Sequence, residues 1–222
     1  MTTLADIQLS LELDDFKEAQ GEALRLPRAQ ESAERALTEA ATLVAPALVY
    51  EWISVEVVDR THARVGGVVM RVGGHTDLLL PAQEAFVCVA TVGPALEERA
   101  RDLAAEGKAF DSYILGEVGV YAVGLVMHLA HKRVEEEAAA RGWGVGAEMA
   151  PGQLAGWDVA EQKLLCGLLD VSSIGVSVTD GGMLFPMKSA SLLVGSGPEY
   201  EASEVRSPCD YCAKAETCRY RH

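Results

Sequence analysis

The chain has 222 residues, 49% hydrophobic and 23% charged, a globular composition with enough apolar material for one large domain or two small ones. Its 19 basic and 33 acidic side chains leave a formal charge of −14, which repels phosphate backbones and argues against nucleic acid as a partner. The most apolar run, VGVYAVGLVMHLA from Val118 to Ala130, falls short of the roughly 20 residues of a membrane span. The opening MTTLADIQLSLELDDF has neither the basic head nor the long apolar stretch of a secretory leader, so a cytoplasmic protein with reduced thiols and no membrane partner is expected.

In chain order, Ile7, Leu9, Leu11 and Leu13 alternate with polar residues and predict a half-buried strand, followed by a short helix capped by Asp14 and Asp15. An Ala-, Glu- and Leu-rich helix is predicted from Ala29 to Ala45, stopped by Pro46. EWISVEVVD and HARVGGVVMRVGG read as two strands with glycine bends, and AFVCVATVG as a central strand. A helix follows, with Pro94 in its first turn and Gly107 past its end.

The longest helix is predicted from Asp111 to about Arg141, buried in its apolar first half and emerging into solvent in its second, HKRVEEEAAAR. GWGVGAEMAPGQLAGW reads as a loop. Asp158, with Glu161 as capping-box partner, opens a helix carrying Leu164, Leu165, Leu168 and Leu169 on one face. IGVSV and SASLLVG are the last predicted strands. Strands and helices mix without βαβ alternation, which favours an α+β fold. The hydrophobic pattern ends near Gly197, dividing the chain into a body, 1–198, and a tail, 199–222.

The tail carries the most specific chemical signal. Cys209, Cys212 and Cys218 are three of the chain's five cysteines. Cys-x2-Cys lets one turn present two thiolates to one metal, and Cys218 lies within reach of the same ion. His222 would complete a Cys3His zinc site; alternatively the three thiolates hold an iron–sulfur cluster. A tail without metal is the plainer reading. Cys88 and Cys166 sit in apolar patterns and read as core filling, although either could supply a fourth thiolate. His128 and His131 share one helix face, and one buried, hydrogen-bonded histidine beside one exposed is the favoured expectation; if the pair instead binds a metal or lines a cofactor pocket, His128, set in the apolar run, is the better candidate. The glycine-rich loop follows a helix and is not a dinucleotide fingerprint. Walker, nucleophile-elbow and HExxH patterns are lacking, and no catalytic residue stands out.

Residues 150–191, APGQLAGWDVAEQKLLCGLLDVSSIGVSVTDGGMLFPMKSAS, combine an Ala-Pro-Gly loop and a helix ending in a Leu-Leu pair. Thr179, Asp180 and Pro186 lie in a Thr-Asp…Met-x-x-Pro segment, and Ser189 and Ser191 in a Ser-x-Ser strand. In this order they resemble the activation domain of vitamin B12-dependent methionine synthase. The TVGPALEE segment and the long helix agree with that frame. The resemblance implies an α+β fold with a twisted antiparallel sheet and a long buried helix. It also implies S-adenosylmethionine as a ligand, docking on a cobalamin-carrying partner, and support for reductive reactivation of that partner's cobalt.

The residues the resemblance assigns to the pocket are His128, Ala150, Pro151, Gly152 and Gln153. Glu148 stands where the family has Arg, Gln153 where it has Tyr, His128 where it has Glu, and Val194 where it has Tyr. A Glu in place of that Arg repels a ligand carboxylate, so weak S-adenosylmethionine binding is expected. Standalone, cysteine-tailed chains of this kind are similar to proteins encoded beside corrinoid methyltransferases. The leading expectation is therefore an accessory protein of a corrinoid-dependent methyl-transfer system, with cobalamin supplied by the partner and a metal centre in the tail. The alternatives are a binding module whose tail is stapled by zinc, and an S-adenosylmethionine-binding methyltransferase component.

Overall fold

The computed structural model describes residues 1–5, 7–24, 26–212 and 216–217. Its strands are β1 (Thr2–Leu4), β2 (Ala47–Val57), β3 (His62–Val65), β4 (Val68–Arg71), β5 (Glu84–Thr91), β6 (Gly144–Met149), β7 (Ser177–Val178), β8 (Leu184–Phe185) and β9 (Ser189–Gly197). Its α-helices are α1 (Leu13–Gln20), α2 (Pro27–Leu43), α3 (Ala95–Ala105), α4 (Ala109–Ala140) and α5 (Gln162–Cys166).

AFVCVATVG forms β5, the hub of the main sheet. It pairs along its length with β2 on one side and β9 on the other, both antiparallel. The full order is β4-β3-β2-β5-β9-β6, with β1 on the same edge of β2 as β3, further toward the β2 N-terminus. Every neighbouring pair is antiparallel. The α+β expectation with an antiparallel sheet and a long buried helix therefore holds. Residues 85–91 of β5 are all buried, so the sheet is covered on both faces. Phe86, Cys88 and Ala90 join a cluster with the helices, whereas Ala85, Val87 and Val89 join a second cluster with Met149, Leu154, Trp157 and Leu165.

The helix α4 passes the length and composition test for a membrane span. It is a core helix, buried on most sides in its first half and along one stripe only in its charged second half, as the sequence suggested. Its buried positions recur every fourth residue, through Ile114, Val118, Ala122, Val126, Ala130, Val134 and Ala138. Each step of four carries the stripe about 40° further round the helix axis. The buried face thus turns from α2 and α3 at the start to the sheet at the end. Ser32 donates to Asp111 at 2.7 Å and Ser112 donates to the carbonyl of Ala100 at 2.7 Å. At the other end, Glu137 accepts from Tyr50 Oη at 2.7 Å and from Trp52 Nε1 at 2.5 Å. Arg141 stacks over Trp52 with 4.1 Å to the ring centroid. The charged second half is wet on one side.

Several local expectations are corrected. Residues 7–12 form no strand, although the burial of residues 7–13 alternates as the sequence does and Ile7, Leu9, Leu11 and Leu13 pack on the helical cluster. Alternation records one buried face and does not supply a hydrogen-bonding neighbour. Asp14 and Asp15 sit in the first turn of α1 rather than at its cap. HARVGGVVMRVGG is a hairpin: Gly66 and Gly67, at φ of 57° and 85°, fit a two-residue turn with positive φ at both central positions. Asp158 Oδ1 accepts from the Ala160 amide at 2.8 Å, while Glu161 leaves the capping box to accept from the Arg71 amide at 3.2 Å. The helix beyond is only α5, with Leu164 exposed. IGVSV reduces to the two residues of β7.

The largest departure is the glycine-rich segment, whose first part is the edge strand β6. Its glycines record close approach of another chain segment, not a loop. A Cβ on Gly144 would lie 2.3 Å from the Tyr200 carbonyl oxygen, and one on Gly146 would lie 3.0 Å from the Tyr200 ring. The tail runs along this edge. Val145 donates to the Ala202 carbonyl at 2.8 Å, Arg206 to Gly146 at 3.2 Å, and Glu148 to Arg206 at 3.0 Å. Tyr200 Oη donates to the Leu78 carbonyl at 2.5 Å.

Among the described residues, every fully buried member of both clusters precedes residue 198, and the tail adds the part-buried Val205 and Tyr211. Truncation after Pro198 is therefore expected to leave a cooperative thermal transition. Losing the four backbone hydrogen bonds that tie the tail to β6 and to residues 150–157, together with the Tyr200 side chain, costs about 3–5 kcal/mol. That places the midpoint roughly 10 °C lower. Calorimetry on the truncated chain tests this, and a non-cooperative melt would make the tail part of the core.

Candidate functional site

The residues that the resemblance assigns to a pocket surround one short segment. Residues 150–157 leave β6 as a closed turn. Gln153 donates to the Ala150 carbonyl at 3.2 Å, and Gly152 donates to the Trp157 carbonyl at 2.8 Å. Gly152 holds φ at 79°, which suits glycine. Ala150 and Pro151 are buried, Gly152 is exposed and Gln153 is half-buried. The loop after β4 presses against this turn, since a Cβ on Gly73 would lie 2.7 Å from the Ala155 carbonyl oxygen.

Glu148, on β6, faces α4. Its Oε2 lies 2.7 Å from His131 Nε2, and its Oε1 accepts from Gln153 Nε2 at 3.3 Å. The Glu148 side chain is 12% exposed and that of His131 is 23% exposed. A carboxylate this deep needs donors, and the protein supplies two of its own. His128, one turn earlier on α4, is exposed, and the histidine that engages Glu148 is His131. Val194 pairs with Glu148 across the sheet and is fully buried. The His131–Glu148 pair was legible only as a one-face spacing of two histidines. Its partner lay in a segment read as loop, where no facing could be assigned.

Two further atoms mark this turn. Among the described residues, Gln153 Oε1, an acceptor, and Trp157 Nε1, a donor, are buried without hydrogen-bond partners, as is Tyr121 Oη on α4. Trp157 is 2% exposed. Each orphan costs on the order of 1–3 kcal/mol, so a ligand offering one donor and one acceptor would be favoured at this turn.

The tail thiols lie beside the same turn. Cys209 lies within one tight turn, Pro208–Asp210, and Cys212 two residues past its end; Ser207 Oγ caps the turn by accepting from the Cys209 amide at 3.2 Å. Both cysteines are half-buried. Cys212 forms a β-bridge with Leu154, and the Ala155 amide donates to the Tyr211 carbonyl at 3.4 Å. Cys218 and His222 lie outside the described residues. Among the described residues, no three His, Cys, Asp or Glu side chains converge as a metal site. Two soft thiolates on one turn suit zinc or cluster iron as part of a donor set.

Cys88 and Cys166 belong to the two core clusters. Burial pushes both thiols up, and for Cys88 the nearby Glu148 carboxylate adds to the shift. Gln162 Nε2 lies 3.2 Å from Cys166 Sγ and Ser191 Oγ donates to Gln162 Oε1 at 3.1 Å, which ties α5 to β9.

Removing the His131 ring strands a half-buried carboxylate. His131→Ala is expected to destabilise the fold by about 1–3 kcal/mol. Adding Glu148→Gln should recover part of that loss, because the two residues act on one interaction. Thermal melts of the two single variants and the double variant test this, and strict additivity would show that the pair carries no coupling.

No protein-family model matches the sequence, and no curated protein sequence does. Among solved structures the chain is similar to one described as "Crystal Structure of the MetH Reactivation Domain bound to AdoHcy". The TM-score is 0.65 at 15% sequence identity, over 91% of this chain and 81% of that one. The chain shares the fold of that domain, a mixed α+β architecture with an antiparallel sheet and a long core helix.

Proposed function

We propose that this protein is an accessory component of a corrinoid-dependent methyltransferase system, which docks on the cobalamin-carrying protein and assists its reductive reactivation. The observation that carries this reading is the shared fold with the MetH reactivation domain along nearly the whole chain. The surface supports it. Exposed large apolar side chains gather on the β7–β8 hairpin and just after it: Met183 is 53% exposed, Phe185 52% and Met187 66%. Val159 and Leu164, at 37% and 40%, belong to the segment that meets the hairpin's turn, where Gly182 approaches Val159 and Lys163 pairs with Asp180. Methionine-rich, partly aromatic patches adapt well to a partner surface. The Cys209–Cys212 turn would hold part of a zinc or iron–sulfur centre, with Cys218 and His222 as further ligands.

The docking patch is tested with a cobalamin-loaded corrinoid protein of the methionine synthase type. Phe185→Asp and Met187→Asp are each expected to weaken binding at least about tenfold, which is 1.4 kcal/mol. The thermal midpoint should stay unchanged, because both side chains are exposed. Wild-type protein that does not bind the corrinoid protein at tens of micromolar concentration would sink the reading.

A second reading, an S-adenosylmethionine-class ligand at residues 150–157, draws on the AdoHcy bound to the neighbour and on the orphaned atoms of Gln153 and Trp157. The donor set does not fit a carboxylate clamp. Glu148 brings an acceptor carboxyl where a clamp needs a cationic donor, and its two oxygens already face His131 Nε2 and Gln153 Nε2. Titration calorimetry with S-adenosylmethionine is expected to give a dissociation constant weaker than about 1 mM, against the micromolar range expected of an intact clamp. Micromolar binding would promote the second reading over the first.

A further inference from the structure

The tail arches between two anchor points on one segment. Its strand-like part pairs with β6 at Ala147, immediately before the 150–157 turn. It then leaves the sheet edge, makes the Pro208–Asp210 turn and returns to bridge Leu154 through Cys212. The Tyr211 carbonyl accepts from Ala155, and the Tyr211 ring meets His75 edge-on at 5.8 Å. The Tyr211 ring also packs on the cluster that contains Leu154 and Trp157. The Cys-x2-Cys turn is thus the crown of an arch whose feet stand at the start and in the middle of the candidate binding turn.

We infer that metal binding at the Cys209–Cys212 turn and the conformation of residues 150–157 are thermodynamically coupled, so that loading the tail tightens the turn beside Glu148, Gln153 and Trp157. This rests on the proposal that the tail thiols hold a metal. Two thiolates held by one ion fix the backbone of the arch. Ordering the arch removes the freedom that would otherwise open the Cys212–Leu154 and Tyr211–Ala155 contacts. Linkage makes the effect reciprocal: whatever opens the turn must weaken the metal by the same factor. The tail then reports its state to the turn through the Tyr211 and Cys212 backbone contacts and the packing of the Tyr211 ring.

The test is amide hydrogen exchange on the full chain, anaerobic and reduced, with and without zinc ion, with zinc content measured on the same samples. Peptides covering residues 150–157 are expected to exchange at least about fivefold more slowly when zinc is bound, while peptides from β5 stay unchanged. Cys209→Ser/Cys212→Ser is expected to abolish both the tight zinc and the slowing. Ala155→Pro, which removes the donor to Tyr211, is expected to lower zinc affinity severalfold while the near-ultraviolet circular dichroism of the body is retained. Stoichiometric zinc with unchanged exchange at 150–157 would overturn the coupling and leave the metal reading standing. A wild-type chain that takes up no zinc would overturn both. Equal slowing in the double serine variant would place the effect at another site and overturn the coupling.

Discussion

The central strand sets the terms of the whole molecule. β5 is buried on both faces and paired on both edges, so it cannot be stable unless two separate layers cover it. One layer is regular: α2, α3 and the long α4. The other is assembled from turns, 3-10 segments and the very short α5, between Met149 and Val178. Irregular chain that must also exclude water carries many backbone groups to satisfy. It satisfies them with tight turns such as 150–157 and with borrowed partners such as Glu161 on the Arg71 amide. The candidate site lies in this irregular layer, which holds the orphaned side-chain atoms of Gln153 and Trp157.

The second constraint is the open edge at β6. An edge strand presents unpaired amides and carbonyls. Here residues 199–206 cover them, and Gly144 and Gly146 exist to let that cover approach. The tail is therefore chemically distinct from the body and yet structurally engaged with it. Its hydrophobic pattern stops at Gly197 because its contribution is backbone pairing plus the scattered side chains of Tyr200, Val205 and Tyr211, and neither leaves a periodic mark in a sequence.

That distinction explains what could be read in advance. The elements with long two-sided or one-sided burial, β5, β9, α2 and α4, announce themselves through their apolar residues, and the fold class follows from their order. The misread segments share a different cause. Residues 7–12 bury one face without a strand partner, so their alternation looked like a ladder. β6 has glycines where its neighbour crowds it, so a paired strand looked like a loop. The candidate site inherits that error. With β6 unseen, Glu148 appeared only as the wrong residue in a loop motif. His128 drew attention by its apolar setting, while the interacting histidine was the more polar-flanked His131. Cys218 and His222 lie outside the described residues, and the metal reading of the tail remains the reading its spacing supports.

The substitution at Glu148 has a consequence beyond the loss of a cation. An arginine at this place on β6 would need an acid from the protein or a ligand to neutralise it. A glutamate reverses that demand, and the protein meets it internally with His131 from α4 and Gln153 from the turn. The turn is thereby tied to the long helix by the protein's own side chains, where a family arginine would leave that bond to a ligand. α4 in turn is clamped to β2 through Glu137 and to α2 through Asp111. The turn is thus held on its helix side by side chains, and on the other side by the backbone contacts of the tail arch at Tyr211 and Cys212. Among the described residues, Cys209 and Cys212 of the arch lie outside the sealed core, whereas Cys88 and Cys166 are buried in the two clusters.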